Sequence, residues 1–363
     1  MHAKTTRIAN IILITTLSVA GLYFAAPFLI PVVLAGLLAM LLSKGVERLE
    51  KLGFGRALSA LVPVLLFVGA IVLLGVVLSW QINRLADNFA EIREGIDKKM
   101  ASFREWVSDN LGVTEEKQQQ MFEQQGKATS TQAGGFFFAL VNTLADTAVN
   151  AILVIVYTYL LIFYRSHLKK FVLRTVPPDN RRQAARIVRK SVAVSGQYLT
   201  GLFNMVGVLW VMYSIGFSIV GLEGAILFAL ICGLLEIVPF FGNFVGNLIA
   251  VLAAIAQGGD AKMIIGVIVV YLTVQFLQTY ILEPLVVGQK VNINPLFTIA
   301  GLVVGELLWG IAGMALAIPL IAIVKIICDN VPELQAYGEL IGPADKPKKM
   351  SLLASLKKRI QRE

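Results

Sequence analysis

The chain has 363 residues, of which 57% are hydrophobic and only 15% are charged, and its formal net charge is +9. Soluble domains typically contain about 45–50% apolar and about 25% charged residues, so this composition argues against soluble domains and for one membrane domain. The positive charge does not indicate nucleic acid as a partner, because the basic residues cluster beside long apolar runs and no nucleic-acid motif accompanies them.

The N-terminal region, residues 1–80, is predicted to form three transmembrane helices. Its first uncharged run, 8–43, is too long to cross a bilayer core of about 30 Å only once, and Pro27 and Pro31 supply a break. The uncharged run also continues past the point where a signal peptide would end, which favours a retained anchor over a cleaved signal. The three spans are placed at about 8–25, 27–43 and 57–80.

Residues 81–135 form a segment of different character, predicted to lie outside the membrane. Apolar side chains recur at spacings of three and four from Ile82 to Leu111, which indicates an amphipathic helix that continues out of the third span. This seam packs either on the protein itself or against another copy, and a homo-oligomer is predicted from it. The polar stretch 113–135 is typical of a linker.

The region 136–330 is predicted to be a C-terminal transmembrane core. Full spans are expected at about 136–164, 197–220 and 262–282. The first of them contains Asp146 near its start, so this acid is interpreted as interfacial. Between Arg165 and Lys190 there are nine lysines and arginines but one acid, Asp179, and the positive-inside rule therefore places this loop in the cytoplasm.

Two pairs of shorter apolar segments interrupt this core. A helix of about 15 residues reaches only about 22 Å, which is too short for a full crossing, so each pair is either a hairpin or a re-entrant loop. The pairs lie at about 224–238 with 243–257, and at about 295–308 with 310–328. The basic tail, 331–363, then returns to the side of the N-terminus, as its charge requires.

The predicted fold class follows from these segments. It is an all-α, polytopic integral membrane protein with about six full transmembrane helices, two short-helix pairs and an amphipathic extramembrane helix. The lipid bilayer is its first partner. The predicted location is the bacterial cytoplasmic (inner) membrane, with both termini in the cytoplasm.

Ionisable side chains inside a bilayer cost about 2.5–3.5 kcal/mol each on insertion scales, so they are candidates for function. Glu236 is the strongest, since it directly precedes the break from Pro239 to Gly242, where freed backbone groups must face protein or water. These side chains either bind a transported solute or ion, or only bond to each other and hold helices together. The further candidates are Asn243, Asn247, Gln275, Gln278, Glu283 and Glu306.

Signatures of an enzyme or of a metal site are missing from the sequence. His2 and His167 are the only histidines, there is no His-Glu-x-x-His motif, and no Gly-rich loop ending in Lys-Ser/Thr is present. Cys232 and Cys328 lie inside apolar segments and predict neither a disulfide framework nor a metal site. We therefore expect no catalytic residues, no cofactor and no ATP-driven chemistry.

Four motifs resemble the signature stretches of the autoinducer-2 exporter (AI-2E) family, also called PerM-type permeases. Members are similar to exporters of a small furanosyl signal and, in other cases, to sodium/proton antiporters. Glu306 departs from the family pattern, which has a small residue at this position. The motifs are Glu236-Ile-Val-Pro-Phe-Phe-Gly242, Glu283-Pro-Leu-Val-Val-Gly288, Asn294-Pro295 and Gly310-Ile-Ala-Gly-Met-Ala-Leu-Ala-Ile-Pro319.

The function predicted from these observations is transport of a small solute or ion across the membrane without ATP. The resemblance implies a secondary, ion-coupled permease or exporter similar to the autoinducer-2 exporters, with Na+ or H+ as the cation. The alternative is a membrane scaffold or regulatory protein that transports nothing and acts through its amphipathic insert. A membrane-embedded enzyme is disfavoured, because no catalytic set is visible.

Overall fold

The computed structural model describes residues 2–86, 150–239, 241–287 and 293–343. Within these ranges the chain forms helices and no strands. A π-helix, Gln278–Val287, and two 3₁₀ turns, Pro178–Asn180 and Pro332–Leu334, complete the set. The α-helices are α1 His2–Phe24, α2 Ala26–Lys51, α3 Arg56–Ala86, α4 Asn150–Phe163, α5 Arg165–Thr175, α6 Arg181–Val220, α7 Ala225–Leu235, α8 Phe241–Ala256, α9 Ala261–Leu277, α10 Pro295–Asn330 and α11 Gln335–Ile341.

This structure confirms the all-α, polytopic fold. By length and composition, five described helices can cross a membrane, or six if α4 and α5 count as one bent span. The apolar part of α1 and helices α7 and α8 are shorter. The amphipathic helix beyond Ala86, the linker at 113–135, Asp146 and the tail from 344 onward lie outside the described residues.

The N-terminal break falls at Ala25, between α1 and α2. Pro27 lies in the first turn of α2, where its missing N–H group costs nothing because that donor has no partner inside the helix. Pro31, in contrast, lies inside α2 without ending it, so only the first of the two prolines marks the break. Pro63 in α3 and Pro319 in α10 are likewise accommodated within helices.

The described chain divides into two compact units, of which the first comprises residues 1–168 and 196–288. Its main core joins α6, α7, α8 and α9, and the rings of Tyr213 and Phe217 are stacked with centroids 5.4 Å apart. A smaller cluster, built on Val46 and Ile162, joins α2, α3 and α4. Apolar side chains outside these clusters are widely exposed, as expected of a surface that faces lipid.

Helices α7 and α8 form an antiparallel hairpin within the first unit, which we call the first hairpin. The two helices touch where Gly246 faces Cys232, and a Cβ added to Gly246 would lie 3.4 Å from the Cys232 Cα. The Cys232 thiol donates a hydrogen bond of 3.3 Å to the Gly246 carbonyl. Near the turn, a Cβ on Gly242 would collide with the Leu235 carbonyl. The first predicted short pair is thus confirmed as two packed short helices.

The second unit comprises residues 169–195 and 289–363, and its main element, α10, folds back on itself. Trp309 and Gly310 leave the helical conformation, with φ of +59° at Gly310. The backbones of Gly305 and Gly313 touch, and a Cβ on Gly301 would collide with Ile321. Two residues twenty positions apart in a straight helix would be about 30 Å apart. Segments 295–308 and 311–330 therefore form a second hairpin, as the second short pair predicted.

Contacts at the base of α10 close the second unit. Asn294 caps α10, since its Oδ1 accepts a hydrogen bond of 3.0 Å from the Leu296 N–H, and Pro295 takes the first helical position. The Asn294 N–H donates to the Ile341 carbonyl of α11 over 2.8 Å. The Asn294-Pro295 motif thus has a structural role as the start of a helix.

Candidate functional site

Glu236 lies directly after the last residue of α7, at the turn of the first hairpin. The helix stops here because Pro239 lacks an N–H donor and disfavours helical backbone in the residue before it. The turn is closed by hydrogen bonds from the Val238 N–H to the Leu235 carbonyl over 2.9 Å and from the Gly242 N–H to the Val238 carbonyl over 2.9 Å. Glu236 is only 8% exposed at this position.

Two amide side chains hold the Glu236 carboxyl. Gln278 Nε2 donates to Glu236 Oε1 over 2.6 Å, and Asn243 Nδ2 donates to the same oxygen over 3.2 Å. Gln278 is 1% exposed and opens the π-helix, while Asn243 lies in the first turn of α8. No donor from the described residues reaches Oε2, and no basic side chain in the same residues forms an ion pair with Glu236.

Tyr271 extends this cluster along α9. Its hydroxyl donates to the Asn243 carbonyl over 3.0 Å and lies 3.2 Å from Asn243 Oδ1. Sequence reasoning missed this residue. The signal was present, because Tyr271 precedes Gln275 by four positions and Gln278 by seven, so that all three share one face of a helix.

Three buried amide oxygens on the helices that carry this cluster have no hydrogen-bond donor among the described residues: Asn247 Oδ1, Gln275 Oε1 and Gln278 Oε1. An unsatisfied buried acceptor costs about 1–3 kcal/mol, so a group of three calls for an explanation. Carbonyl and carboxylate oxygens are the ligands that hard cations prefer. The described residues contain no group of three or more His, Cys, Asp or Glu side chains arranged for a metal ion.

The structure brings together some of the predicted site residues but not others. Glu236, Asn243 and Gln278 are in contact, and Pro239 and Gly242 build the turn that positions them. Asn247 is half-buried one turn after Asn243 on α8, and Gln275 on α9 is half-buried about one turn before Gln278. Glu283 and Glu306 are exposed, and Glu306 lies on the second hairpin, in the other unit.

The helix after Gln278 changes from α to π geometry over Gln278–Val287. Sequence reasoning missed this feature and predicted the end of a span at Glu283-Pro284. The proline was the signal, since it cannot donate the hydrogen bond of a regular helix. π-helical turns are rare and occur often at functional sites, and this one begins at the residue that binds Glu236.

At the opposite end of α7 from Glu236, a cleft of about 360 Å³ opens in the first unit. Buried Gln81 lines it together with Arg84, Ser218, Glu223 and the first turn of α7. Helix α7 has 11 residues, so the cleft and the Glu236 cluster are about 16 Å apart along it. Sequence reasoning did not single out Gln81 or Arg84.

Apolar helices of membrane-spanning length define a multi-pass helical membrane protein, and a polar cluster beside a broken hairpin is a feature that membrane transport proteins have at their binding sites. The sequence profile described as AI-2E family transporter matches residues 12–333, so this chain belongs to that family. The predicted resemblance is thereby confirmed.

Several relatives resemble the chain over most of their own length. "Putative transport protein YrrI" of Bacillus subtilis is 28% identical over 308 residues, covering 82% of this chain and 84% of the relative. "Putative transport protein YueF" of the same organism is 26% identical over 357 residues, covering 92% and 94%. "Putative permease PerM" of Escherichia coli K12 is 25% identical over 333 residues, covering 88% and 91%.

Proposed function

We propose that this protein is a secondary transporter of a small solute or ion, coupled to a cation, H+ or Na+, that binds at Glu236. The observation that carries the proposal is the buried carboxyl at the turn of the first hairpin, with three unpartnered amide oxygens on the two elements that supply its donors, α8 and the α9–π-helix segment. A membrane protein gains nothing in stability from such acceptors, so a ligand that they bind in part of the cycle accounts for them.

The chemistry of the cluster suits a cation better than an anion. Glu236 is a carboxylate whose Oε1 accepts two amide donors, while Oε2 and the three amide oxygens present only lone pairs. A proton on Oε2 or a Na+ ion among these oxygens would complete the coordination, whereas an anion would be repelled by every one of them. Gln278 and Asn243 hold the carboxyl in place from two different elements.

The position of the cluster also fits a coupling site. Helix α7 begins beside the cleft and ends at Glu236 about 16 Å farther on, which is roughly half of a bilayer core of about 30 Å. Secondary transporters bind their substrates and ions near the midplane, at helices that are interrupted there. The first hairpin is therefore proposed to be re-entrant, with its turn near the middle of the membrane.

The proposed orientation places both termini and the loop 165–190 in the cytoplasm, and residues 113–135 on the opposite side of the bacterial inner membrane. It rests on the distribution of basic residues. Cysteines are introduced one at a time at Lys127 and Arg182. An impermeant maleimide should label the cysteine at 127 in intact cells, and the cysteine at 182 only after lysis. Labelling at 182 in intact cells would reverse the arrangement.

A homo-oligomer is proposed on the apolar seam from Ile82 to Leu111, which would be left partly uncovered in a monomer. Lysine at both Ile92 and Ile96 should lower the mass of the detergent-solubilised particle. If the double variant keeps its mass and its activity, the seam is not a contact between copies.

Flux in proteoliposomes tests the proposed function. The purified protein should dissipate an imposed gradient of H+ or Na+, or move autoinducer-2 when such a gradient is present, and the flux should require the Glu236 carboxyl. Size-exclusion profiles serve as the control for folding. If no flux of any tested solute appears while the protein remains folded, a scaffold acting through its insert becomes the better account.

A further inference from the structure

Helix α5 follows directly on α4, yet none of its residues is buried. Its exposed large apolar side chains are Leu168, Phe171 and Val172, at 42%, 63% and 41% exposure, whereas Leu173 is half-buried and lies about 140° around the helix from Leu168. The three exposed side chains are spaced by three and four positions and so form one face of the helix. Three exposed aliphatic and aromatic side chains on one face of a short helix are unfavourable in water, so another surface must cover this face.

The charged residues of α5 are all basic. Lys169, Lys170 and Arg174 are all exposed, and the segment Arg165–Thr175 contains no acid. Lys170 lies roughly opposite the apolar face, about 200° around the helix from Leu168. An exposed apolar face on a helix whose charged residues are all cations suits the boundary between acyl chains and anionic headgroups, where lysine stems stay in the apolar layer and their ammonium groups reach the phosphates.

The direction of α5 fits such a boundary. The chain bends by 69° at Tyr164, between Asn150–Phe163 and Arg165–Thr175. Transmembrane helices tilt by about 20° on average, so a helix bent this far from a span runs closer to the membrane plane than to its normal.

The start of α5 is fixed at the level where two membrane helices end. Arg165 forms an ion pair with Glu50 in the last turn of α2. Together with Arg56, the first residue of α3, they line a polar cavity of about 110 Å³. The loop between α2 and α3 also exposes Leu52 and Phe54. This level is therefore the surface of the bilayer, and α5 begins there.

We propose that α5 is an interfacial helix that binds the anionic phospholipids of the protein's own bilayer. Leu168, Phe171 and Val172 enter the acyl boundary, while Lys169, Lys170 and Arg174 bind headgroup phosphates. Each cation near an anionic membrane surface favours binding by about fivefold, so the three together favour it by roughly a hundredfold. The proposal does not depend on the transported solute, on the coupling ion or on the side of the membrane.

Spin labels on α5 test this proposal in the full-length, reconstituted protein. In a background with buried Cys232 and Cys328 replaced by alanine, one cysteine is introduced at Val172, on the apolar face, and another at Lys170, as the matched control on the polar face. Accessibility to oxygen and to a water-soluble nickel chelate is then measured. Vesicles of phosphatidylcholine alone are compared with vesicles that also contain phosphatidylglycerol. Leu168→Cys replaces Val172→Cys if the latter does not fold.

In phosphatidylglycerol vesicles the label at 172 should be accessible to oxygen and protected from nickel, and the label at 170 should show the reverse. Neutralising Lys169, Lys170 and Arg174 with glutamine should lower the inserted fraction of the 172 label in these vesicles and leave it unchanged in phosphatidylcholine. The control is a variant with an equal change in charge elsewhere, in which glutamine replaces Lys98, Lys99 and Lys117.

Three results would overturn the proposal. Protection of the 172 label from both reagents would mean that protein covers this face, either a second copy or the chain's own segment 344–363. Access of nickel to both labels would place α5 in water. The inserted fraction of the 172 label could also be the same with and without phosphatidylglycerol and unchanged when the three cations are neutralised. In that case α5 is an apolar anchor that does not recognise anionic lipid.

Discussion

Both hairpins of this protein depend on glycines that let their two helices approach closely, but they differ in the acidic side chains near the turn. In the first, Gly242 and Gly246 allow α7 and α8 to approach, and in the second, Gly305 and Gly313 bring two halves of α10 into backbone contact. The first hairpin buries Glu236 beside its turn, where two amides donate to its Oε1, whereas both acids of the second, Glu306 and Asp329, are exposed.

This difference separates two roles of the short-helix pairs, close helix packing and ion binding, which the sequence alone does not distinguish. Glycines explain why each chain segment can fold back, because an added methyl group would strike backbone in both hairpins. They do not explain a buried carboxyl with two donors, which is expensive inside a membrane and is found on one hairpin only. Ion chemistry is therefore expected from the first hairpin and not from the second.

The largest effect is expected from Glu236→Gln. Glutamine keeps the size of the side chain but cannot ionise, so it offers a cation no negative charge, and losing charge-assisted contacts of about 2 kcal/mol should weaken the apparent affinity for the coupling ion by about thirtyfold. Flux should become uncoupled or disappear, while the size-exclusion profile is retained. Glu306→Gln is the matched control and should behave like the unmodified protein. If Glu236→Gln and Glu306→Gln reduced flux equally, ion binding could not be assigned to the first hairpin rather than the second.

Gly242→Ala in the first hairpin and Gly313→Ala in the second should destabilise the protein to a similar degree. In each case the new Cβ meets a backbone carbonyl rather than a flexible side chain, and overpacking of this kind costs roughly 1–3 kcal/mol. Thermal unfolding in detergent measures the cost. Gly36→Ala is the control, because open space surrounds that position on α2. If Gly242→Ala unfolds at the temperature of the control, the turn has room for a Cβ at this position and Gly242 is not required for the close approach.

Removal of the shorter amide contact should cost stability and coupling together. Gln278→Ala deprives Glu236 Oε1 of a donor 2.6 Å away and leaves a buried carboxyl with one partner, a loss of about 1–3 kcal/mol. Gln275→Ala on the same face removes an oxygen that has no donor, so it should leave the unfolding temperature nearly unchanged. A larger loss of stability in Gln275→Ala than in Gln278→Ala would contradict this assignment of partners.

The smallest effect is expected from Asn247→Ala. The Asn247 Oδ1 atom has no donor to lose, so the variant should be no less stable than the unmodified protein, while the affinity for the coupling ion falls by a few fold. The half-saturating ion concentration for flux reports this change. A loss of stability with unaltered ion affinity would make Asn247 a structural residue.

Much of the fold could be predicted from the sequence because the membrane leaves few choices. Uncharged apolar runs of sufficient length must be helices in lipid, and the break from Pro239 to Gly242 forces a turn wherever it occurs. The segments 295–308 and 310–328 are likewise predicted as a short pair, and the structure turns between them at Trp309 and Gly310. Glu236 was singled out because an acid in an apolar segment is costly in any arrangement of the helices.

The partners of Glu236 were decided by the tertiary structure alone. Helical periodicity tells which residues share a face, as it did for Asn243 with Asn247 and for Gln275 with Gln278, but it contains no information on which faces meet. Gln278 is 42 positions from Glu236, and Tyr271 is 28 from Asn243. Their contacts depend on how α7, α8 and α9 pack around a shared core, and packing is set by side-chain shape across helices rather than by any local pattern.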